Sequence, residues 1–374
     1  IGCGRCIEVC IRSHGGIIEK SARFAIDDSE EFEKNLNSKE IIALVAPSAH
    51  GNFKLGKLIT ALKELGVRQV FDVSLGAEIT VACYHEGIKN GNMNTPVIAT
   101  PCPAIVKYIE LHHPGLIKFL APVGSPVYNL SVYVRSLYPD AELAFISPCL
   151  AKRREFQDHQ MVKYNVTYRS LQRILQNNNI DLESLEDGEF DSGVEAGIAA
   201  NFSSAGGLKE SYLYHYPETP ASSIARVDGP SVFSDYLVNL ETAIANKSDH
   251  LPMVIDILSC EKGCNMGVGC INKLADEIDY LTATRSERAV KNREAQGELK
   301  QFLTRVIKNH NFEYKDYEDL SRRNQLKLPT ASQLHKIYTD MHKVEEKDFR
   351  NCAACGYNSC YQMAVAIYNG LNKA

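Results

Sequence analysis

The stretch Met253-Val-Ile-Asp-Ile-Leu258-Ser-Cys260-Glu-Lys-Gly-Cys264-Asn-Met-Gly-Val-Gly-Cys270-Ile-Asn272 decides how the chain folds. Its first six residues are an apolar run that reads as a buried strand. Immediately after it, Cys260 and Cys264 stand four apart in a glycine-punctuated turn, the kind of backbone that lets a bulky cofactor approach closely.

Two earlier stretches repeat this architecture with one cysteine each. Pro96-Val-Ile-Ala-Thr-Pro-Cys102-Pro is an apolar run ending in a cysteine, and Glu142-Leu-Ala-Phe-Ile-Ser-Pro-Cys149-Leu-Ala-Lys152 is another. Each reads as strand, proline-flanked cysteine, then helix. Ligands of open α/β sheets bind at the carboxyl ends of strands. Three such ends bring Cys102, Cys149, Cys260 and Cys264 together, and four thiolates suit an iron–sulfur cluster.

The alternation extends to both sides. Ile41-Ile-Ala-Leu-Val45 and Gln69-Val-Phe-Asp-Val-Ser74 read as strands, and Leu55, Leu58, Ile59, Leu62 and Leu65 recur at helical spacing up to Gly66. Strands alternating with helices predict an α/β fold with mostly parallel sheets flanked by helices. Gly197 to Leu208 is a small-residue turn before a helix. It lacks the lysine and the glycine spacing of a phosphate-binding loop.

With 374 residues, 44% hydrophobic and 23% charged, the chain has an ordinary globular composition with room for one large domain and appendages. A net charge of -5 argues against non-specific nucleic-acid binding. No apolar run has the length of a membrane span and no signal peptide is visible, so neither nucleic acid nor membrane is an expected partner and a cytoplasmic location is expected. The 12 cysteines carry more information. Disulfides would need an oxidising compartment, and zinc remains an alternative for the short Cys-x-x-Cys pairs.

Beyond the central four, cysteines cluster at each end. Cys3, Cys6 and Cys10 have the Cys-x2-Cys-x3-Cys spacing of the tail of a bacterial ferredoxin run, with Ile11 where Pro is usual. The first cysteine of that run would precede Ile1. Cys352, Cys355 and Cys360 form a second compact group, whose fourth ligand is expected just beyond Ala374. The chain is thus expected to continue past both ends. Residues 1–22 read as a partial ferredoxin-like 4Fe-4S segment, 23–285 as the main domain, 286–345 as a helical bridge with a solvated charged face, and 346–374 as an incomplete 4Fe-4S module. Thr330 and Gln333 resemble a capping box. Cys83 and Cys270 read as buried structural thiols.

The three cysteine stretches, in this order, resemble the signature loops of FeFe-hydrogenases over about residues 41–272. The resemblance implies a two-lobed domain whose active site, the H-cluster, joins a 4Fe-4S cubane to a two-iron azadithiolate subcluster with CO and CN ligands, the subcluster being supplied by dedicated maturation. It implies that Cys102, Cys149, Cys260 and Cys264 hold the cubane and that Cys264 also bridges to the two-iron unit. Lys152 and Glu155 match the family's Pro-Cys-x-x-Lys-x-x-Glu pattern, in which the lysine donates to a cyanide. Ala46, Pro47 and Ser48 resemble its Ala-Pro-Ser segment, Ser125 and Pro126 its Lys-Ser-Pro, and Phe202 with Gly206 and Gly207 its Phe-Gly-x-x-Gly-Gly element.

The departures bear on mechanism. Pro101 stands where the family carries its proton-relay cysteine, Ala121 aligns with a relay serine, and no clear relay glutamate is found near Val81 to Glu86, where Cys83, Tyr84, His85 and Glu86 offer another path. Ser147 and Leu258 replace the methionines flanking the two-iron unit, and the family's three-glycine run appears as Gly267-Val268-Gly269. Each positioned donor is worth roughly 10²–10⁴-fold in rate. This loss, with the C-terminal Cys-x-x-Cys-Gly-Tyr-x-x-Cys pattern, resembles the sensory branch of the family, whose members often carry a PAS-type domain or signalling kinase further on.

The expectation is therefore a slow, reversible 2H⁺ + 2e⁻ to H2 reaction in an anaerobe, sensing hydrogen or redox state, with a carrier such as ferredoxin as redox partner. Two alternatives stand beside it: an ordinary ferredoxin-linked hydrogenase with a different proton path, and a non-enzymatic electron-transfer or assembly protein holding cubanes only.

Overall fold

The computed structural model describes residues 1–13, 23–271, 296–314, 317–352, 357 and 359–373. Ile1–Glu318 forms one compact unit and Asp319–Ala374 another.

Two parallel sheets organise the first unit. Strands β1 (Ile41–Val45), β2 (Gln69–Asp72), β4 (Glu142–Ser147) and β5 (Tyr164–Thr167) lie in the order β2-β1-β4-β5. Strands β3 (Val97–Ile98), β6 (Ile224–Asp228) and β7 (Val254–Leu258) lie in the order β3-β7-β6. Every pairing is parallel, with Val45 beside Asp72 and Ile146 in the first sheet and Ile98 beside Ile255 in the second. The strands read from sequence around the cysteines are thus those that form.

Both faces of each sheet are covered, which is why the strands read as continuous apolar runs. In β1, Ile41, Ala43 and Val45 enter one core while Ile42 and Leu44 enter another. In β7, Val254 faces one core and Ile255 and Ile257 the opposite one. Fully burying each such side chain contributes about 1.5–3 kcal/mol.

Helix Leu55–Glu64 ends as its apolar spacing predicts. Gly66 takes φ 102°, and the Val67 N–H reaches back to Leu62 O at 3.0 Å, a Schellman closure. Helix Ser74–Lys89 packs against helix Pro126–Leu137 and helix Gly207–His215. Its Gly76 lies directly against Pro126 O, where a Cβ has no room.

The stretch read as a bridge over 286–345 is divided between the two units. Residues 272–295 lie outside those described. Helix Gln296–Asn309 puts Leu299, Phe302 and Val306 into the core beside β1 and β4. Its charged residues form only the outer side, and the apolar spacing at 299, 302 and 306 was the signal for the buried one.

In the second unit the capping box is present: Thr330 Oγ1 accepts from Gln333 N at 3.4 Å, and Gln333 Oε1 accepts from Thr330 N at 2.9 Å. Helix Ala331–Asp340, which follows it, packs against helix Cys360–Tyr368.

Candidate active site

Five strand ends from the two sheets converge on one cavity. β1 delivers Ala46, Pro47 and Ser48; β2 delivers Val73; β3 leads to Pro101 and Cys102; β4 ends in Ser147, Pro148 and Cys149; β7 ends in Leu258, Ser259 and Cys260. Cys264, Lys152, Pro126, Phe202 and Val268 also line it. The cavity encloses about 860 Å³, counting space open to solvent.

All four central cysteines border this space as free thiols. Burial pushes the Cys102 thiol up, opposed by N–H groups of Ser259, Ile105 and Ala104. Burial, and then the charge of Cys102, push Cys149 up to about 11. Cys260 and Cys264 are raised further, by burial and by the neighbouring thiols. Four half-buried thiols that disfavour one another's ionisation form a donor set that a cationic metal group stabilises as thiolates. Among the described residues, no three His, Cys, Asp or Glu side chains converge closely enough to hold a single ion. The thiols instead ring a cavity, which fits a polynuclear cluster better than one tetrahedral zinc.

The loops carrying these cysteines brace each other. Ser147 Oγ accepts from Cys149 N at 3.2 Å and turns the chain into the proline–cysteine corner. Cys264 N donates to Ser203 O at 2.7 Å, and Ser203 Oγ donates to Asn265 Oδ1 at 2.8 Å. Gly263, at φ 95°, lies where a Cβ would stand 2.5 Å from Ser203 O. Gly267 and Gly269 lie against Pro148 O, so the glycines of this turn let backbone meet backbone rather than cofactor alone.

Lys152, at the first turn of helix Lys152–His159, is almost wholly buried. Its Nζ donates to Ser125 Oγ at 2.8 Å and to Glu155 Oε2 at 2.5 Å. Ser125 caps helix Pro126–Leu137 and donates to Glu155 Oε1 at 2.5 Å. Burial raises the Glu155 carboxyl, but Lys152, and after it His159, pull it down to about 2. A fixed cation thus faces the cavity, with its countercharge behind it.

The other expected residues are placed as follows. Ser48 lines the cavity and shares a 2.7 Å hydrogen bond with Tyr168. Phe202 lines it, whereas Gly206 and Gly207 lie off it. Gly206 takes φ 89°, and Gly207 packs on Asn201 and Phe202 backbone. Ser125 and Glu155 border a separate pocket behind Lys152.

Pro101 stands in the wall, Ala121 and Val81 are buried apolar positions, and Tyr84 bonds Thr100 rather than the cavity. His85 turns away to stack on Tyr216 at 3.5 Å. Cys83 is packed among apolar side chains, and burial raises its thiol to about 12.

Of the terminal cysteines, Cys3 reaches the cavity wall, Cys6 is exposed, and Cys10 is half-buried on helix Arg5–Ser13. Cys352 is exposed and Cys360 buried, with Asn351 Oδ1 accepting from Cys360 N at 2.8 Å. Cys355 lies outside the described residues.

Three features escaped the sequence. The Ser147 brace and the Ser203–Asn265 tie join residues whose types are common in any loop. The third is buried Glu78, which accepts from Ala199 N at 3.0 Å and pairs with His215 Nε2 at 2.6 Å. It fixes the turn that leads to Phe202. A carboxylate inside an otherwise apolar helical stretch was its only sequence signal.

Residues 39–268 match the family described as iron only hydrogenase large subunit, C-terminal domain. The chain is 27% identical over 251 residues to the NADP-reducing hydrogenase subunit HndD of Solidesulfovibrio fructosivorans, covering 56% of this chain and 41% of that one. It is 28% identical over 211 residues to iron hydrogenase 1 of Clostridium pasteurianum, covering 48% and 37%. The chain therefore spans less than half the length of either relative. In fold it resembles a variant of the FeFe-hydrogenase HydA1 of Chlamydomonas reinhardtii, with TM-score 0.60 and 17% identity over 79% of this chain and all of that one. A HydA structure concerned with stepwise H-cluster assembly matches with TM-score 0.56 and 17% identity, at the same coverage.

Proposed function

The chain belongs to the iron-only (FeFe) hydrogenase family, and on that premise we propose that its cavity holds an H-cluster and catalyses 2H⁺ + 2e⁻ to H2 reversibly and slowly, as a hydrogen or redox sensor. One observation carries the proposal: Cys102, Cys149, Cys260 and Cys264 ring a single cavity that also receives Lys152. When bound, the cofactor supplies the metal centre at which protons and electrons combine.

The chain's own residues have distinct tasks. Cys102, Cys149, Cys260 and Cys264 would hold the cofactor through their thiolates. Lys152 offers a charged donor to an anionic ligand such as cyanide, held on station by Ser125 and Glu155. Pro47, Pro101, Pro126, Phe202 and Leu258 make much of the wall apolar, which strengthens such electrostatic contacts by excluding water. Cys3 lines the cavity, which supports the N-terminal cysteine segment as an entry for electrons from a ferredoxin-type carrier.

The slow rate follows from Pro101 and Ala121, neither of which carries an exchangeable side-chain proton, and from the lack of a clear relay glutamate near Val81 to Glu86. The expected signalling link lies with the C-terminal cysteine module and whatever domain or kinase receives its state.

Reconstituting the chain with iron and sulfide, then loading a synthetic two-iron azadithiolate complex, tests this. Hydrogen evolution well below that of a bidirectional relative, together with CO and CN infrared bands, supports a sensor. Turnover as fast as such an enzyme removes the sensory role, and cubanes without bands leave an electron-transfer protein.

A further inference from the structure

A second pocket, of about 480 Å³ counting open space, lies behind the cavity wall. Thr100, Ser125, Glu155 and Tyr317 line its inner end, while exposed Arg154 and Asp158 carry it to the surface. Pro103 borders both spaces. Otherwise one layer of side chains divides them, with Lys152 on the cavity side and Ser125 and Glu155 on the pocket side. That layer is hydrogen-bonded throughout: Lys152 Nζ to Ser125 Oγ at 2.8 Å, and Ser125 Oγ to Glu155 Oε1 at 2.5 Å.

We propose that Lys152, Ser125 and Glu155 form a proton conduit from the cavity to this pocket, taking the place of the route closed at Pro101. The inference rests on the cavity being a hydrogen-active site.

In the outward direction, Lys152 passes one of its protons to Ser125 Oγ and takes its replacement from the cavity. Ser125 gives its original proton to Glu155 Oε1, and the Glu155 carboxylic acid releases it to water in the pocket. Lys152 ends as an ammonium, Ser125 as a hydroxyl and Glu155 as a carboxylate, so one proton has crossed and no group has changed. The inward direction reverses each transfer. The ion pair with Lys152 keeps the acid form of Glu155 rare, so the conduit is slow and its pace suits a sensor.

The test follows the CO and CN infrared bands of the loaded protein after a rapid change of pH. Glu155→Gln is expected to slow their response by roughly 10²-fold or more, and Glu155→Asp to restore part of it. Val106 lines the pocket but not the cavity. Val106→Trp, which fills the pocket, is expected to slow the response by about tenfold or more with band positions unchanged, a result that a merely structural role for Glu155 does not produce. A response as fast as wild type in either Glu155→Gln or Val106→Trp overturns the conduit. Absence of CO and CN bands from the loaded wild-type protein overturns the hydrogenase assignment itself, and the conduit with it.

Discussion

Lys152 Nζ lies 2.5 Å from Glu155 Oε2, and both side chains are about nine-tenths buried, at 8% and 11% exposure. One helical turn links them, so the helix itself sets the pair. Removing one partner of such a buried pair leaves an unpaired charge, at roughly 3–5 kcal/mol. Lys152→Met is therefore expected to destabilise the apo-protein more than the double change Lys152→Met with Glu155→Leu does. Urea unfolding of the three proteins checks this, and equal midpoints for the single and double variants would refute it.

The same pair sets a pH dependence. The Glu155 carboxyl falls from an ordinary 4.5 to about 2 on folding. A depressed carboxyl stabilises the fold fully above its unfolded value, and that stabilisation disappears as pH falls through the folded one. Thermal stability of the wild type should thus drop between about pH 4.5 and 2 more steeply than that of Glu155→Gln. Parallel curves would show that the pair does not couple to folding.

Gly263 is committed to its conformation twice over, by φ 95° and by the approach of Ser203 backbone. Gly263→Ala should displace the turn between Cys260 and Cys264 at a cost of about 1–3 kcal/mol for the backbone strain alone. Iron bound per chain after reconstitution is the readout. Full iron content with an unchanged melting temperature would mean that the turn tolerates a side chain.

Restoring a thiol at the closed position separates a missing donor from a missing route. Pro101→Cys alone leaves Ala121, which cannot pass a proton on. Its effect on hydrogen evolution should be small, and Pro101→Cys with Ala121→Ser should exceed it by about 10²-fold. If the double variant is no faster than the single one, loss of the relay does not limit the rate.

The sheets were legible because a strand buried on both faces must be continuously apolar, as in β1 and β7, and because a cysteine at the end of such a run has few other uses. Lys152 was legible by its distance from Cys149. What lay beyond the sequence was tertiary: Ser147 turning its hydroxyl to Cys149 N, Glu78 reaching across to Ala199, and Cys3 coming up to the cavity wall. Such contacts depend on how separate loops meet, and no local pattern encodes the meeting. Helix Gln296–Asn309 was a different matter. Its charge density drew attention from the apolar spacing of Leu299, Phe302 and Val306.

The proposed site assigns Cys102, Cys149, Cys260 and Cys264 to one cofactor, with Cys264 the ligand on which its two-iron part would depend. Infrared spectroscopy of the reconstituted protein, loaded with a synthetic two-iron azadithiolate complex and compared with Cys264→Ser, tests it most directly. CO and CN bands that shift on going from argon to hydrogen in the wild type, and that are lost or left unresponsive in Cys264→Ser, are the predicted result. A wild-type protein with intact cubanes and no such bands would contradict the claim.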